Sequence, residues 1–435
     1  MFSVLLALIA GCLYWGDQPV WDDNVLIVQY LWTTPVSELW SESMIGGVNA
    51  AGYFRPLSMS LLALLPSIWL IHVVTTILHA GSTALLFHFL GKDERAYFCS
   101  SLFAVHPICS EVLGWASCLP DAMAVHLGLW ALILHPTTMV GASIALFLGL
   151  CCKEIAFLPL LIGLLVSSNR SRAAWLSWML PIGLFVLLRS YAGVSSAVDI
   201  SGKEILIPKV VGHGVWALLW PFPVMPVRDI LSLSWVGATI GLVLLIGMIV
   251  RRPKGWWMLI VAPMLLSLPP VLSGYFAAER YLYLSLLGGC LWLGKELPTS
   301  LPRWAWLCCI PLLAVHGSRA LIWKSDLALF STAVEALPNS AYTWHLLGMS
   351  QLQSGAYRDC ASSFERSLGN ARPHVQAPFF RLVCLVEAEQ FQEAFEHAER
   401  GETSGLSKEY VQYWIRAAEG AGQAGRAADL QTILE

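Results

Sequence analysis

Two adjacent carboxylates, Asp22 and Asp23, follow an apolar N-terminus in a chain of which only 13% is charged. The stretch Val20-Trp21-Asp22-Asp23-Asn24 sets them between an aromatic residue and the aliphatic run Val25-Leu26-Ile27. A carboxylate so placed can take a proton from a hydroxyl within hydrogen-bond reach. Like-charge repulsion between neighbours raises their pKa values, which suits a base working near neutral pH. A structural reading competes. Asp and Asn favour helix N-caps, Val25 to Trp32 could be the helix, and one Asp can serve both purposes.

Further polar residues punctuate the apolar sequence: Arg55, His106, Glu111, Asp121, Lys153, Glu154 and Arg280, the last flanked by Tyr281 and Tyr283. Arg280 is the best candidate to meet negative charge on a ligand, with Arg55 and Lys153 behind it. Blander roles compete here too. Arg280 could be an interfacial anchor paired with Glu279, Arg55 could be structural before Pro56, and Lys153-Glu154 could be an ion pair tying helix ends. His106 and Glu111 could hold a phosphate, orient an acceptor or bridge through a divalent cation, or His106 could be a packed loop histidine. Their five-residue spacing is not a metal signature, and no metal site is assigned. His72 and His79, seven apart, read as core packing. No Walker-type loop or dinucleotide fingerprint is present, so a soluble nucleotide ligand lacks its usual signals.

The elements that must position these residues are membrane helices. The chain has 435 residues, 57% of them hydrophobic, with 20 Trp, against about 45–50% apolar and about 25% charged in soluble domains. Of its 55 charged residues, 23 lie from Lys324 onward. This predicts an all-α protein with a membrane domain over 1–320 and a water-soluble domain over 321–435. The net charge of −3 and the absence of a clustered basic face argue against nucleic acid. Apolar runs long enough to span number about eleven, provided that 206–220, with Pro208, Gly212 and Gly214, does not cross. Basic turns at Lys92 to Arg95, Arg170 to Arg172 and Arg251 to Lys254 then fall on the cytoplasmic side. Asp22, Asp23, Arg55, His106, Glu111, Lys153, Glu154 and Arg280, and the tail, fall on the other. Ionisable groups near membrane depth are costly and commonly mark a site.

The eleven cysteines read as small buried hydrophobes. Ile9-Ala10-Gly11-Cys12 is similar to a bacterial lipobox, but no Lys or Arg precedes it, which favours a short first membrane helix. From Ser325 a period of about 34 residues emerges. Trp344, Leu347, Gly348, Cys360, Phe364 and Ser367 occupy tetratricopeptide (TPR) positions, Phe330, Ala333 and Pro338 occupy those of a preceding half repeat, and Tyr357 recurs as Phe391. The groove of such a stack takes an extended peptide or another protein.

Trp21-Asp22-Asp23-Asn24, Tyr53-Phe54-Arg55-Pro56-Leu57, Ile77-Leu78-His79-Ala80, Phe103-Ala104-Val105-His106-Pro107 with Glu111, Cys152-Lys153-Glu154 and Ala278-Glu279-Arg280-Tyr281-Leu282-Tyr283-Leu284 occur in this order. In order, and with the fused repeats, they resemble the transmembrane and TPR-containing protein O-mannosyltransferases, glycosyltransferases of the GT-C fold. Two departures stand out: Cys109-Ser110 replaces the family's His and Thr before the Glu, and Cys118-Leu119-Pro120-Asp121 replaces a Gly-Arg-Ala-Asp-like stretch. The family also carries more repeats. The resemblance implies transfer of a sugar, with inversion, from a polyprenyl-phosphate carrier to a Ser or Thr hydroxyl of a protein. Asp22 or Asp23 is then the base, and Arg55, His106, Glu111, Lys153, Glu154, Arg280, Tyr281 and Tyr283 are substrate-binding candidates. A bacterial inner membrane with the site and tail extracytoplasmic is the expected home, or the endoplasmic reticulum with both lumenal. Other expectations remain open: a GT-C enzyme with a glycan or lipid acceptor, a non-catalytic membrane scaffold that assembles partners through its repeats, and, for want of internal symmetry, last a transporter.

Overall fold

The computed structural model describes residues 1–41, 53–160, 163, 172–194, 201–221, 228–231, 233–251, 257–274, 276–370, 373–401 and 407–434. The architecture is all-α. The chain forms two compact units, Met1–Val224 with Leu233–Ser325, and Met225–Ser232 with Asp326–Glu435.

Among the described residues of the first unit three helices are long and apolar enough to cross a membrane: Ile68–Leu90, Ala116–Leu134 and Trp304–Ile322. Their boundaries follow from local chemistry. The Ser67 hydroxyl caps the first by accepting from Leu70 N at 3.2 Å, and Gly91, at φ 105°, ends it in the left-handed region that favours glycine. Asp93 caps the next helix, Glu94–Val105, by accepting from Ala96 N at 3.0 Å. Helices also stand at Phe2–Cys12, Met139–Leu150, Arg172–Tyr191, Trp235–Arg251, Met258–Leu266, Leu268–Gly274 and Tyr283–Glu296. Most are shorter than the expected spans. The 11 residues of Phe2–Cys12 rise only about 16 Å, against about 30 Å of hydrocarbon. Half of the expected span over 155–168 lies outside the described residues.

Only 22% of the apolar window of Trp304–Ile322 is buried within the protein. Trp175, Leu176, Leu180, Leu187, Val236, Val243 and Ile246 likewise stand exposed. Apolar surface on this scale is costly in water and natural against lipid. The segment 206–220 is helical over Ile207–Leu219 and crosses Trp235–Arg251 so closely that a Cβ on Gly241 would strike the Gly212 carbonyl. Gly212 therefore permits a backbone-to-backbone crossing of a kind common between membrane helices.

The second unit is a succession of helical hairpins: Asp326–Ala336, Ala341–Gln353, Tyr357–Leu368, Ala377–Glu387, Phe391–Glu399, Lys408–Gly420 and Ala424–Leu434. The second helices of successive hairpins begin at Tyr357, Phe391 and Ala424, spaced 34 and then 33 residues apart. Phe364, Leu382, Ala394, Trp414 and Leu430 build one continuous core. Gly348 lies against the Phe364 ring, where a Cβ would overlap it. The cysteine reading is corrected at two positions. Cys360 and Cys384, on adjacent helices with Cα atoms 5.9 Å apart, form a disulfide. Their 24-residue separation gave no sign of it, because only the packing of Tyr357–Leu368 on Ala377–Glu387 brings them together.

Candidate active site

The first unit encloses a cavity of about 480 Å³ whose wall includes Asp22, Tyr53, Arg55, Trp115, Ser117, Asp121, Lys153, Glu154, Phe185, Arg189, Arg280 and Tyr281. Residues from distant stretches of sequence thus meet in one place. Leu26, Met59, Ile155, Pro263, Leu266 and Pro269 supply its apolar surface.

Asp22 enters the wall from a strained turn. Trp21 adopts φ 61°, a left-handed conformation costly for a bulky side chain. Its indole stacks on Trp115 at 4.8 Å and 9°. Behind the pair the chain runs into a π-helix, Asn24–Leu31, a rare form found often at functional sites. Asp22 is exposed to the cavity although protein surrounds it. Burial pushes its carboxyl above the usual range, against the pull of Arg280 and of the Ser117 and Trp115 side chains. Among the described residues it is the cavity carboxylate that forms no ion pair.

Asp23 is fully buried. Its carboxylate accepts from Val20 N at 3.1 Å, Ser117 N at 2.8 Å and the Ser117 hydroxyl at 2.6 Å. It stands at the N-cap position, but its side chain makes no cap bond to the π-helix. It braces the turn against the start of the Ala116–Leu134 helix instead. Burial lifts it to about 7, with Ser117 opposing and Asp22 adding repulsion.

Each cation at the wall has a distinct support. Arg280 donates from Nη1 to Glu111 Oε1 at 2.5 Å, and its backbone N donates to Glu111 Oε2 at 3.0 Å. Its guanidinium lies 4.5 Å from the Trp115 ring and 4.9 Å from that of Tyr281, a cation–π arrangement. Glu111 is itself buried, and burial raises its carboxyl while Arg280 holds it down. Lys153 Nζ sits 2.5 Å from Asp121 Oδ1, with both side chains almost wholly buried. Burial pulls the Lys153 ammonium below its ordinary pKa, with Asp121 opposing. Glu154 is shared between Arg55 at 3.6 Å and Arg189 at 3.2 Å. Arg55 also lies 4.5 Å from the Tyr53 ring, and its buried Nε has no hydrogen-bond partner.

The cavity thus gathers Asp22, Arg55, Lys153, Glu154, Arg280 and Tyr281, with Glu111 one bond behind. Asp23, His106 and Tyr283 do not line it. His106 is buried where the Glu94–Val105 helix ends; its Nε2 donates to Leu218 O at 3.0 Å and its Nδ1 accepts from Ile108 N at 3.3 Å. Burial lowers its pKa to about 4, so the ring is neutral. The Tyr283 hydroxyl donates to His79 Nδ1 at 2.8 Å inside the helix packing. Arg189, Ser117, Trp115 and Phe185 were not foreseen. Arg189 alone carried a signal, as a charge in the last turn of an apolar helix. Among the described residues no three His, Cys, Asp or Glu side chains converge as metal ligands.

The arrangement sets one open carboxylate among cationic groups, at a wall that is apolar elsewhere. It can accept a proton and stabilise an anion on a partly apolar molecule. Compared with protein-family models, curated proteins and solved structures, the chain matches none.

Proposed function

We propose that the chain is a polytopic membrane glycosyltransferase of the GT-C type, with about eleven transmembrane helices and a short TPR domain. It moves a sugar, mannose by the resemblance, from a polyprenyl-phosphate carrier to Ser or Thr hydroxyls of a protein. The active-site loops and the tail face the extracytoplasmic side, and the repeat groove receives the acceptor protein.

The observation that carries this reading is the pairing, in one cavity, of the ion-pair-free Asp22 with Arg280, Arg55, Arg189 and Lys153. Asp22, not Asp23, is the base, because Asp23 spends its oxygens on Val20 and Ser117. The acceptor oxygen attacks the anomeric carbon from the face opposite the phosphate, and its proton passes to Asp22. The carbon–phosphate-oxygen bond breaks, and the charge released on the lipid phosphate is met by the cationic groups. Leu26, Met59 and Leu266 suit the first units of a polyprenyl chain. The Cys360–Cys384 disulfide favours an oxidising compartment for the tail.

The test is transfer of label from radiolabelled polyprenyl-phosphate mannose to protein in membranes holding wild type or Asp22→Asn at equal level. Label in protein with the wild type alone supports the enzyme and its base. Equal label from both removes Asp22 as the base. No label from the wild type sinks the transferase reading for this donor and leaves a membrane scaffold as the better account.

A further inference from the structure

We propose that Arg319 is a positioning residue: without touching the cavity, it fixes the turn that presents Arg280 there. This rests on the reading of Arg280 as a group that meets the departing phosphate.

Glu279 and Arg280 are consecutive on the short 3-10 turn Glu279–Leu282, and they engage different partners. Arg280 takes Glu111. Glu279 takes Arg319, from the last turn of the Trp304–Ile322 helix, through both Nη1 and Nη2. Each of these two side chains is 2% exposed, so they form a dry, bidentate pair of fixed geometry. Arg319 Nη1 also donates to the Ser110 hydroxyl at 3.0 Å and to Pro107 O at 2.8 Å, while Nη2 donates to Pro221 O at 3.1 Å. Ser110 directly precedes Glu111 on the Cys109–Gly114 helix.

A closed ring results. Arg319 grips Glu279 on one side and Ser110 on the other, and their chain neighbours, Arg280 and Glu111, grip each other. One guanidinium therefore sets the spacing of the two segments whose ion pair points Arg280 into the cavity. The same helix end adds a second support, because Trp323 stacks at 6.2 Å on Trp115, the ring beneath the Arg280 guanidinium. Arg319, Glu279 and Ser110 supply no proton and do not line the cavity. Their effect on chemistry passes through the placement of Arg280.

The experiment uses the full chain in lipid nanodiscs. Arg319→Gln combined with Glu279→Gln leaves no orphaned buried charge, and Glu279→Asp is the milder second variant should the first fail to fold. Two readouts are taken. Hydrogen–deuterium exchange follows the Arg280 amide, which is protected through Glu111, with the Met139–Leu150 helix, which carries no member of the ring, as control. Transfer kinetics follow the same changes with Arg280 intact and with Arg280→Lys. The proposal expects faster exchange at Arg280 and unchanged exchange in the control. It also expects a fall of about ten-fold or more in kcat with little change in donor KM, and almost no further fall on the Arg280→Lys background, because residues acting through one group are non-additive. Unchanged exchange at Arg280 in a folded variant overturns it, and so does an additive loss on the Arg280→Lys background. A wild type that transfers no sugar defeats the transferase reading instead, and the exchange result still decides whether Arg319 holds the turn.

Discussion

Asp22 and Asp23 are neighbours in the chain with different surroundings: Asp22 opens into the cavity, whereas Asp23 is sealed and accepts three hydrogen bonds from Val20 and Ser117. The pair thus divides into a candidate base and a brace. Replacing each by Asn separates the roles. Asp22→Asn is expected to lower transfer by about 10²–10⁴-fold, the usual worth of a general base, with abundance unchanged. Asp23→Asn turns an amide NH₂ toward one of three donors and is expected to cost about 1–3 kcal/mol of stability. Thermal unfolding and transfer, measured on both variants, check this. A stable Asp23→Asn protein with no activity, beside an active Asp22→Asn, would reverse the assignment.

The raised pKa of Asp22 carries a pH signature. A base must be ionised, so transfer rises with pH through the folded pKa. Because burial lifts that pKa above the usual carboxylate range, the acid limb of kcat/KM is expected above it as well. Asp22→Glu should move the limb while keeping some activity. An acid limb that is identical in the two proteins would assign it to another group.

His106 yields a stability prediction of definite sign. Its folded pKa, about 4, lies below the ordinary 6.5, so its contribution is complete above pH 6.5 and is lost as pH falls toward 4. Protonation would turn an N–H on Nδ1 against the Ile108 N–H that it now accepts from. The full effect is about 3 kcal/mol. His106→Gln, which does not titrate, should flatten that part of the acid limb in a series of melting temperatures. An unaltered series would place the titration elsewhere.

The sequence made these polar residues conspicuous because each interrupts an apolar run at a cost that must be repaid. That logic found Asp22, Arg55, Lys153, Glu154 and Arg280, which the fold gathers in one cavity. It could not separate Asp22 from Asp23, since the difference lies with Ser117, 94 positions from Asp23. Trp115 and Ser117 were invisible for the same reason: an aromatic residue or a serine in an apolar segment has no local mark of its tertiary partner. The helices themselves were legible from apolar runs, but their lengths were not, since a run of apolar residues continues through turns such as that after Cys12. The hairpin period survived because it repeats a packing rule, Gly348 against Phe364, while the disulfide followed no repeat.

Lys153 and Asp121 form a buried pair whose separate and joint removal should differ. Lys153→Met alone leaves Asp121 without its partner and is expected to cost about 3–5 kcal/mol, lowering the amount of folded protein. Lys153→Met with Asp121→Leu removes both charges, and abundance should recover. If Lys153 also meets the phosphate, transfer will not recover with it. Recovery of both would reduce the pair to a structural tie, and recovery of neither would mean that the apolar pair does not fit the space.

The Cys360–Cys384 disulfide joins chemistry to topology. Closing a loop of this separation stabilises a domain by about 3 kcal/mol in the chain-entropy account, so Cys360→Ala with Cys384→Ala should lower the melting temperature of the tail. The bond also persists only where thiols are oxidised, which the cytosol prevents in most cells. A maleimide reagent applied to denatured protein, with and without prior reduction, counts the thiols at these two positions. Two additional labelled cysteines after reduction, mapped to Cys360 and Cys384, would support a tail on the extracytoplasmic side. Both cysteines labelled without reduction, in protein alkylated at the moment of lysis, would put the tail in a reducing compartment. The active-site loops, which the proposed topology sets on the same side, would then need the opposite orientation.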